Sequence, residues 1–456
     1  MQRTIKKYLL MGIITFLCIC SAFVVYTLYT NYRDLRHATY HNKQTDSLPH
    51  KQEKKSFHET VKMRHSVVIC LALFIAIAIA LYILITVSYS ISHILLWGGS
   101  IFCSLLLCAG IVFMWYLEMQ SSLIKQKTHV VTNDKEVTDF LEQQKKQNPQ
   151  IYKGEVHYLP IGFLFYAIKI NGEIVTLYSY PWLKKNDERD KDIKMSFIAM
   201  NATRENKTWA EDVIAYDHSK DASWQELLQI HTHFDYNKYP FDQQQITILF
   251  EHEQSLKNII LMPDFIAYKW ATTPFPPLAE DFTIRGWNIK NAYFFYDLSN
   301  YPTDFGIRDY WQTKNYPFLG YTIQIQRKIY EPLITSLLPI IIILFITFAV
   351  LLLLAHFVKS RDNITVLLAL LSSLFFANIL SYQILQEAIL TPDITYFKCF
   401  YIITYAIIFI IAVNCLLYVY QPRAHFVIYK NNLLIRLLYW PAVLGIFFLV
   451  TILFFY

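Results

Sequence analysis

The chain has no cysteine outside its apolar stretches. Its seven cysteines all fall within hydrophobic runs, and no two of them have the spacing of zinc ligands: Cys18, Cys20, Cys70, Cys103, Cys108, Cys399 and Cys415. The polar region between residues 119 and 328 therefore contains neither a disulfide nor a zinc site built on cysteine pairs.

The signatures of several functional classes are also missing. The net charge of +6 is spread over loop lysines and arginines, without a basic face interleaved with aromatic residues, so we do not expect nucleic-acid binding. No Ser-His-Asp order, glycine-rich phosphate loop or supported carboxylate pair occurs. We therefore predict neither an enzyme nor a protein with a bound cofactor.

Apolar residues are abundant, at 54% of the 456-residue chain. This exceeds what a soluble protein buries, and several stretches reach the roughly 20 residues needed to cross a bilayer. The predicted spans cover about residues 8–30, 66–88, 93–117, 333–357, 364–386, 396–420 and 437–456. We expect a multi-pass membrane protein with one large water-facing domain.

Charged loops predict the orientation of the spans. Lys359 and Arg361 lie between the fourth and fifth spans, and the loop before the last span is also basic. Because basic loops tend to stay in the cytoplasm, the polar domain is predicted to lie outside it. The loop at 31–65 is also basic. If three spans precede the polar domain, this loop would have to cross the membrane against the same rule, unless the first span is a signal-like segment.

Within the polar region the pattern changes from helix to strand. Residues 133–147 are typical of a polar helix, whereas Gln245 to Glu251 and Tyr321 to Gln326 alternate apolar with polar residues. Short strands between turn clusters such as residues 273–277 predict an antiparallel β-sandwich.

The stretch from Asn363 to Gln383 is a membrane-length helix with a regular line of residues along one face. Steps of four and three residues align its six members: Thr365, Ala369, Ser372, Phe376, Ile379 and Gln383. A helix repeated around an axis would expose this stripe to water, so we predict a pore lining. In the alternative, the Ser and Thr hydroxyls bond back to their own helix and the stripe packs against a neighbour.

Three features of the polar domain and the next span occur in a set order: the loop Tyr239-Pro240-Phe241-Asp242, the strand start Gly286-Trp287, and Arg327 twelve residues before Pro339. This order resembles the pentameric ligand-gated ion channel family, particularly its proton-gated bacterial members. The sequence Asn363-Ile364-Thr365 at the start of the predicted pore helix also looks like that of bacterial members. The resemblance covers about residues 155–456.

The resemblance implies an extracellular antiparallel β-sandwich followed by a four-helix transmembrane channel bundle. The domains would be an N-terminal transmembrane region at 1–120, a linker with a helix at 121–153, a ligand-binding sandwich at 154–328 and a channel domain at 329–456. It also implies a homopentamer in the lipid bilayer of a bacterial inner membrane, with a periplasmic sandwich. Residues 1–150 have no counterpart in the family core.

The loop has a physical rationale of its own. Tyr239 and Phe241 flank Pro240, which fixes a turn, and Asp242 can pair with Arg327 and so couple the sandwich to the pore. The alternative is an ordinary hairpin turn with an exposed Asp.

Ligand contacts are predicted only from the resemblance. The family's mobile loop that caps the agonist corresponds to residues 301–311, where Tyr301, Tyr310 and Trp311 would suit a cationic or amphipathic ligand. Such aromatic side chains equally serve as sandwich core or interfacial residues.

Selectivity is predicted from the first turn of the pore helix. Asp362 lies where cation-passing family members hold carboxylates, three residues before Thr365, whereas Arg361 lies about 100° further around the helix. We therefore expect a channel gated by a small ligand or by protons and leaning towards cations. The alternative is a non-conducting sensor with the same fold, in which Phe376 above Ser372 occludes the pore.

One further cluster lies on a probable strand. His231, His233 and Asp235 alternate, which would place three metal-ligand types on one face. A solvated strand face explains the same pattern, and we predict no metal site.

Overall fold

A computed structural model describes much of the chain from residue 93 onward. The described residues are 93–120, 129–149, 152, 155–186, 189–209, 215–216, 219–254, 258–269, 275–298, 316–357, 361–389, 391, 393–420 and 432–455. The predicted spans at 8–30 and 66–88, and the basic loop 31–65, lie outside them. The chain divides into a helical unit (Met1–Gln120, Pro339–Tyr382 and Tyr396–Tyr456) and a sandwich unit (Ser121–Leu338 and Gln383–Thr395).

The sandwich unit contains two β-sheets, as the alternating sequence patterns predict. Its strands are β1 (His129–Val131), β2 (His157–Asn171), β3 (Ile174–Asn186), β4 (Phe197–Ala199), β5 (Ala202–Trp209), β6 (Ala215–Tyr216), β7 (Ser219–His231), β8 (Gln243–His252), β9 (Ile259–Pro263), β10 (Trp287–Leu298) and β11 (Pro317–Arg327). One sheet has the order β1-β10-β11-β8-β4, and the other has the order β5-β7-β3-β2-β9, with β6 beside β7. The paired strands are antiparallel except β2 and β9, which run parallel.

Strand β8 shows why these residues form a sheet. Its side chains alternate between buried and half-buried positions, and Ile246, Ile248 and Phe250 enter the core between the sheets. Strand β11 is buried along both faces, and on its polar face the hydroxyl of Thr322 lies 3.0 Å from that of Thr247 of β8. Pairing across strands satisfies polar groups that the sequence pattern alone assigns to solvent.

Helix α1 (Asp134–Gln147) is the predicted polar helix, and its start is capped as the sequence indicates. The Asn133 side chain accepts from the backbone N–H of Glu136 at 3.0 Å, and the Glu136 carboxylate accepts from the N–H of Thr132 at 2.7 Å. Phe140 on its buried face stacks on Tyr296 of β10, with ring centroids 4.7 Å apart. Residues of the segment before the sandwich therefore contribute to the sandwich core.

The helical unit is built from long apolar helices. They are α2 (His93–Gln120), α3 (Leu338–Phe357), α4 (Arg361–Ile389), α5 (Tyr396–Tyr420) and α6 (Leu433–Phe455). A short helix, Tyr330–Pro332, and a π-helical turn, Leu333–Leu337, precede α3. Five helices among the described residues are long and apolar enough to cross a membrane: Leu96–Gln120, Tyr330–Leu354, Ile364–Ile389, Tyr396–Tyr418 and Leu433–Phe455. The prediction of a multi-pass membrane protein is confirmed for this part of the chain.

Helix α2, which corresponds to the predicted span at 93–117, packs along α6. The Ser100 hydroxyl donates to the carbonyl of Leu437 at 2.6 Å. Further along α2, a Cβ placed on Gly110 would lie 3.0 Å from the ring of Phe448 in α6. Glycine at this position therefore permits the two helices to approach closely. This span therefore belongs to the same unit as the four C-terminal helices.

A chain of hydrogen bonds joins three of these helices. The indole N–H of Trp115 in α2 donates to the hydroxyl of Tyr396 in α5 at 2.8 Å, and that hydroxyl lies 2.7 Å from the hydroxyl of Thr451 in α6. Tyr396 and Thr451 are fully buried. Polar groups removed from water are thereby satisfied between helices.

Candidate functional site

The loop between β7 and β8 folds back on itself before β8 begins. The N–H of Tyr239 donates to the carbonyl of Tyr236 at 2.9 Å, and the N–H of Phe241 donates to the carbonyl of Lys238 at 2.8 Å. The Tyr239-Pro240 peptide bond is cis. Both flanking aromatic side chains, Tyr239 and Phe241, are buried. The loop is therefore a packed turn rather than a solvated one.

Asp242 and Arg327 form a two-pronged ion pair. Nε of Arg327 lies 2.7 Å from one carboxylate oxygen, and a terminal nitrogen lies 2.9 Å from the other. Strand register explains the contact, because Gln243 of β8 pairs with Gln326 of β11 and the next residues on each strand must meet. The Asp242 side chain is only 1% exposed, so the alternative of an exposed aspartate does not hold.

Aromatic rings surround the guanidinium of Arg327. Its central carbon lies 4.1 Å from the ring centre of Trp287, 4.8 Å from Tyr239 and 5.8 Å from Tyr236. Burial acts to lower the pKa of Arg327, but the charge and hydrogen bonds of Asp242 together with Tyr239 and Tyr236 outweigh it, and the pKa is raised. The arginine therefore stays charged inside an aromatic enclosure.

Two further residues of this site, Trp287 and Tyr236, were not predicted from the sequence. The signal for Trp287 was available, because it begins β10 and pairs in register with Arg327 at the end of β11. Tyr236 reaches the arginine through the fold of the loop, which no sequence spacing specifies.

Gln244 completes the polar contacts of the aspartate. Its side-chain amide donates to the Asp242 carboxylate at 2.9 Å and to the carbonyl of Asp235 at 2.7 Å, while its oxygen accepts from the N–H of Asp235 at 3.1 Å. The two ends of the loop are thus tied to each other and to the ion pair. A displacement of the loop would have to break these bonds together.

Tyr239 extends the network towards the helix that follows β11. Its side chain is hydrogen-bonded to Ser336, a buried residue in the π-helical turn Leu333–Leu337. Burial raises the pKa of Tyr239, and Arg327 opposes that rise. The loop, the last strand and the first turns of the apolar span Tyr330–Leu354 therefore share one set of contacts within the sandwich unit.

The histidines of the predicted strand do not join Asp235. His231 and His233 instead lie 3.3 and 3.0 Å from the carboxylate of Glu173, in the turn between β2 and β3. The Asp235 carboxylate accepts from the N–H of Asn237. In the described part of the chain, no three His, Cys, Asp or Glu residues are arranged to hold a metal ion.

The stripe on α4 lies on the side of the helix that the rest of the described chain leaves uncovered. Five of its members are exposed and Ile379 is partly exposed: Thr365, Ala369, Ser372, Phe376 and Gln383. The packed side carries Leu371 and Asn378, whose amide donates to the carbonyl of Tyr401 at 3.1 Å. By the 3.6-residue period, the stripe lies about 145° from the packed side.

The hydroxyl of Ser372 bonds back to its own helix, as the alternative interpretation of the stripe predicts. It donates to the carbonyl of Leu368 at 2.9 Å. Arg361 and Asp362 form the start of α4, but their side chains are not among the described parts. The predicted ligand contacts Tyr301, Tyr310 and Trp311 also lie outside the described residues.

No protein-family model matches this chain, and no curated protein sequence matches it. The functional interpretation therefore depends on the order of the sequence features and on the geometry of the Asp242–Arg327 site.

Proposed function

We propose that the chain is one subunit of a homopentameric channel in a cell membrane, similar to the pentameric ligand-gated ion channels. The observation that carries this proposal is the buried ion pair between Asp242 and Arg327 beneath the loop at 239–242. From the same loop, Tyr239 reaches Ser336 at the start of an apolar span. A movement of the sandwich would thus be transmitted to that span through contacts already made.

In this proposal α4 lines the pore. Five copies around an axis would turn Thr365, Ala369, Ser372, Phe376, Ile379 and Gln383 towards the lumen. The exposure of this stripe in a single subunit supports the assignment, since the subunit itself covers the other side of α4. Large apolar rings dewet a narrow pore, so Phe376 and Ile379 would form the closed gate.

Gating would be a shift between two packings of the Asp242–Arg327 site. Separating the two partners of a buried ion pair would leave an uncompensated charge on each of them. The loop is therefore restricted to arrangements in which Asp242 and Arg327 stay paired. A ligand shifts such an equilibrium only by binding one arrangement more tightly. We assign that role to a small ligand, contacting Tyr301, Tyr310 and Trp311, or to protons.

The sandwich would lie outside the cytoplasm, in a bacterial periplasm, and the pore would favour cations through Asp362 rather than Arg361. This assignment predicts a cation-selective reversal potential in asymmetric salt. In the conducting protein, Asp362→Asn should reduce that selectivity. A chloride-selective reversal, or no change in the variant, would contradict the assignment.

Ion flux tests the proposal as a whole. Purified protein in liposomes is screened across pH and candidate cationic ligands, with Arg327→Lys as the variant and Lys328→Arg as its exposed neighbour control. We expect flux in the parent and the control and reduced flux in Arg327→Lys. If an intact oligomer stays silent in every condition and Phe376→Ser does not open it, the proposal is wrong.

A second candidate function is a non-conducting membrane sensor. Phe376 is 65% exposed and would project a large ring into the axis, while the hydroxyl of Ser372 is already satisfied by its own helix. Both features suit a bundle of membrane helices that never conducts ions. Flux through the parent in any condition would remove this candidate.

A further inference from the structure

Helices α2 and α6 run parallel and begin side by side. The contacts of Ser100 with Leu437 and of Gly110 with Phe448 advance in the same direction along both helices. Where the helices start, three leucines form one buried cluster: Leu96, Leu433 and Leu437. Trp97 of α2 packs against this cluster. The N-termini of two membrane helices therefore lie next to each other.

These N-termini carry positive partial charge. The first N–H groups of an α-helix have no partner within the helix, and the aligned peptide dipoles add about half a positive charge at this end. Acidic residues in the first turn commonly offset that charge, but neither α2 nor α6 has one there. Because the two helices are parallel, their positive ends reinforce each other.

Arg436 adds a full positive charge in the first turn of α6. Its guanidinium carbon lies 5.8 Å from the ring centre of Trp97 in α2. Within the described residues no carboxylate pairs with it, and its buried Nε has no hydrogen-bond partner. The phenol of Tyr418, near the end of α5, interacts with the guanidinium electrostatically, but a neutral phenol does not balance the charge. The described chain thus supplies a cation at this place without its counterion.

Asn432 precedes α6 and is fully buried. An asparagine in this position commonly accepts from an N–H of the first turn, yet neither Oδ1 nor Nδ2 of Asn432 has a hydrogen-bond partner in the described part of the chain. Its backbone carbonyl accepts from the N–H of Arg436 at 3.3 Å, so both residues belong to the same turn. Since an unpaired buried amide is costly, this side chain indicates a missing partner.

A phosphate group matches the chemistry of this place. The N–H groups of the helix starts, the Asn432 amide and the Arg436 guanidinium are donors, and a phosphate offers several acceptor oxygens with negative charge. Trp97 and Arg436 lie in the first turns of the apolar spans Leu96–Gln120 and Leu433–Phe455. At such helix ends tryptophan and arginine reach the headgroups of phospholipids. A zwitterionic headgroup brings its own ammonium group, so an anionic phospholipid fits better.

We propose that the starts of α2 and α6 form a binding site for the phosphate group of an anionic phospholipid. The phosphate lies against Trp97, accepts from Asn432 and pairs with Arg436. It balances the arginine and the two helix N-termini at once, and so fastens α2 to α6. Binding changes no covalent bond. This inference requires only the membrane helices and does not depend on the proposed channel function.

Native mass spectrometry of the full-length protein in detergent measures the binding. Short-chain phosphatidylglycerol is the anionic probe, short-chain phosphatidylcholine is the zwitterionic probe, and inorganic phosphate is the probe without acyl chains. We expect phosphatidylglycerol to bind at least about tenfold more tightly than phosphatidylcholine, because only its phosphate is free to pair with the arginine. Inorganic phosphate should compete weakly, since it has no acyl chains to lie on the apolar helix surface.

Two variants remove different donors of the site. Arg436→Gln deletes the charge and keeps a polar side chain. Asn432→Gly deletes the amide at a φ of 64°, a backbone conformation that suits glycine, so the helix start is retained. We expect each variant to reduce the preference for phosphatidylglycerol to about threefold or less.

Lys328→Gln is the matched control. It deletes the same charge from an exposed residue that lies two positions before another apolar span, Tyr330–Leu354. The control should keep the full preference for phosphatidylglycerol. A preference lost equally in Lys328→Gln would mean that the lipid responds to net charge alone, which would overturn the assigned site.

Melting temperatures of the same samples test the fastening of α2 to α6. Phosphatidylglycerol should raise the melting temperature of the parent and of Lys328→Gln by several degrees more than phosphatidylcholine does, and the difference should shrink in Arg436→Gln and Asn432→Gly. Equal affinity of the parent for the two lipids, or a preference that survives in both site variants, would overturn the proposal. Competition by inorganic phosphate as strong as that by phosphatidylglycerol would identify a free anion as the ligand and overturn the lipid assignment.

Discussion

The guanidinium of Arg327 lies 4.1 Å from the ring of Trp287 while it forms two hydrogen bonds with Asp242. Both contacts depend on the flat, forked shape of the group rather than on its charge alone. A lysine in this place would keep the charge but could neither chelate the carboxylate nor stack on the indole.

Arg327→Lys should therefore lower the free energy of unfolding of the sandwich by about 2 kcal/mol, the value of a lost charge-assisted bond. Unfolding in denaturant, followed by tryptophan fluorescence, measures this. The reciprocal change Lys328→Arg, at the exposed next residue, should alter stability by less than about 0.5 kcal/mol. Equal stability of the two variants would show that the ion pair contributes nothing beyond its charge.

Buried tyrosines predict a loss of stability in alkali. Tyr296 is fully buried, its hydroxyl donates to the carbonyl of Leu261 at 3.0 Å, and burial raises its pKa above the ordinary value. In the unfolded chain a tyrosine loses its proton at about pH 10. Above that pH the unfolded state binds fewer protons than the folded state, so stability is full below pH 10 and falls as the pH rises further.

Melting temperatures between pH 8 and pH 11.5 check this sign. The decline should be shallower in Tyr296→Phe than in the parent, whereas Tyr166→Phe, at a partly exposed position on the sheet surface, should follow the parent. A decline equally steep in Tyr296→Phe would mean that other groups dominate the alkaline transition.

Removing the indole N–H of Trp115 should loosen α2 from the other helices. Trp115→Phe keeps an aromatic ring but deletes the donor to Tyr396, at an expected cost of about 1 kcal/mol because Tyr396 keeps its bond to Thr451. Tyr116→Phe, at the exposed neighbouring position, is the control. Thermal unfolding of the detergent-solubilised protein should separate the two variants, and coinciding curves would exclude a stabilising role for this bond.

Cysteine accessibility tests the orientation of α4 in the membrane. With the native cysteines replaced, a membrane-impermeant thiol reagent should modify cysteines at Thr365, Ala369 and Ser372 quickly, because water in the proposed lumen would reach them. Cysteines at Leu368 and Leu371 should react slowly. Labelling without a helical period would contradict a pore lined by this stripe.

The parts of the structure that the sequence predicted are those governed by local periodicity or by a short distance in register. The alternation in β8 follows from burial of one face, and the capped start of α1 follows from Asn133 and Glu136. The contact between Asp242 and Arg327 required only that both residues flank paired strands. The pore, the ligand contacts and the oligomer remain predictions.

The parts that the sequence did not predict depend on contacts between distant segments. Glu173 and His233 are 60 residues apart, and neither the turn nor the strand end specifies the other. Helix α2 is apolar on nearly every side, so its sequence has no stripe that identifies α6 as its neighbour. Only the assembled helices show which small and polar residues meet.

The contact between α2 and α6 also has a consequence for how the chain is made. Ser100 and its partner carbonyl at Leu437 are separated by 337 positions, so the ribosome completes the entire sandwich before the partner of α2 exists. During that interval the Ser100 hydroxyl cannot form the bond that it makes to α6 in the folded protein. Docking of α6 onto α2 can therefore begin only after α6 has been synthesised, and truncation within α6 should trap the nascent protein before that step.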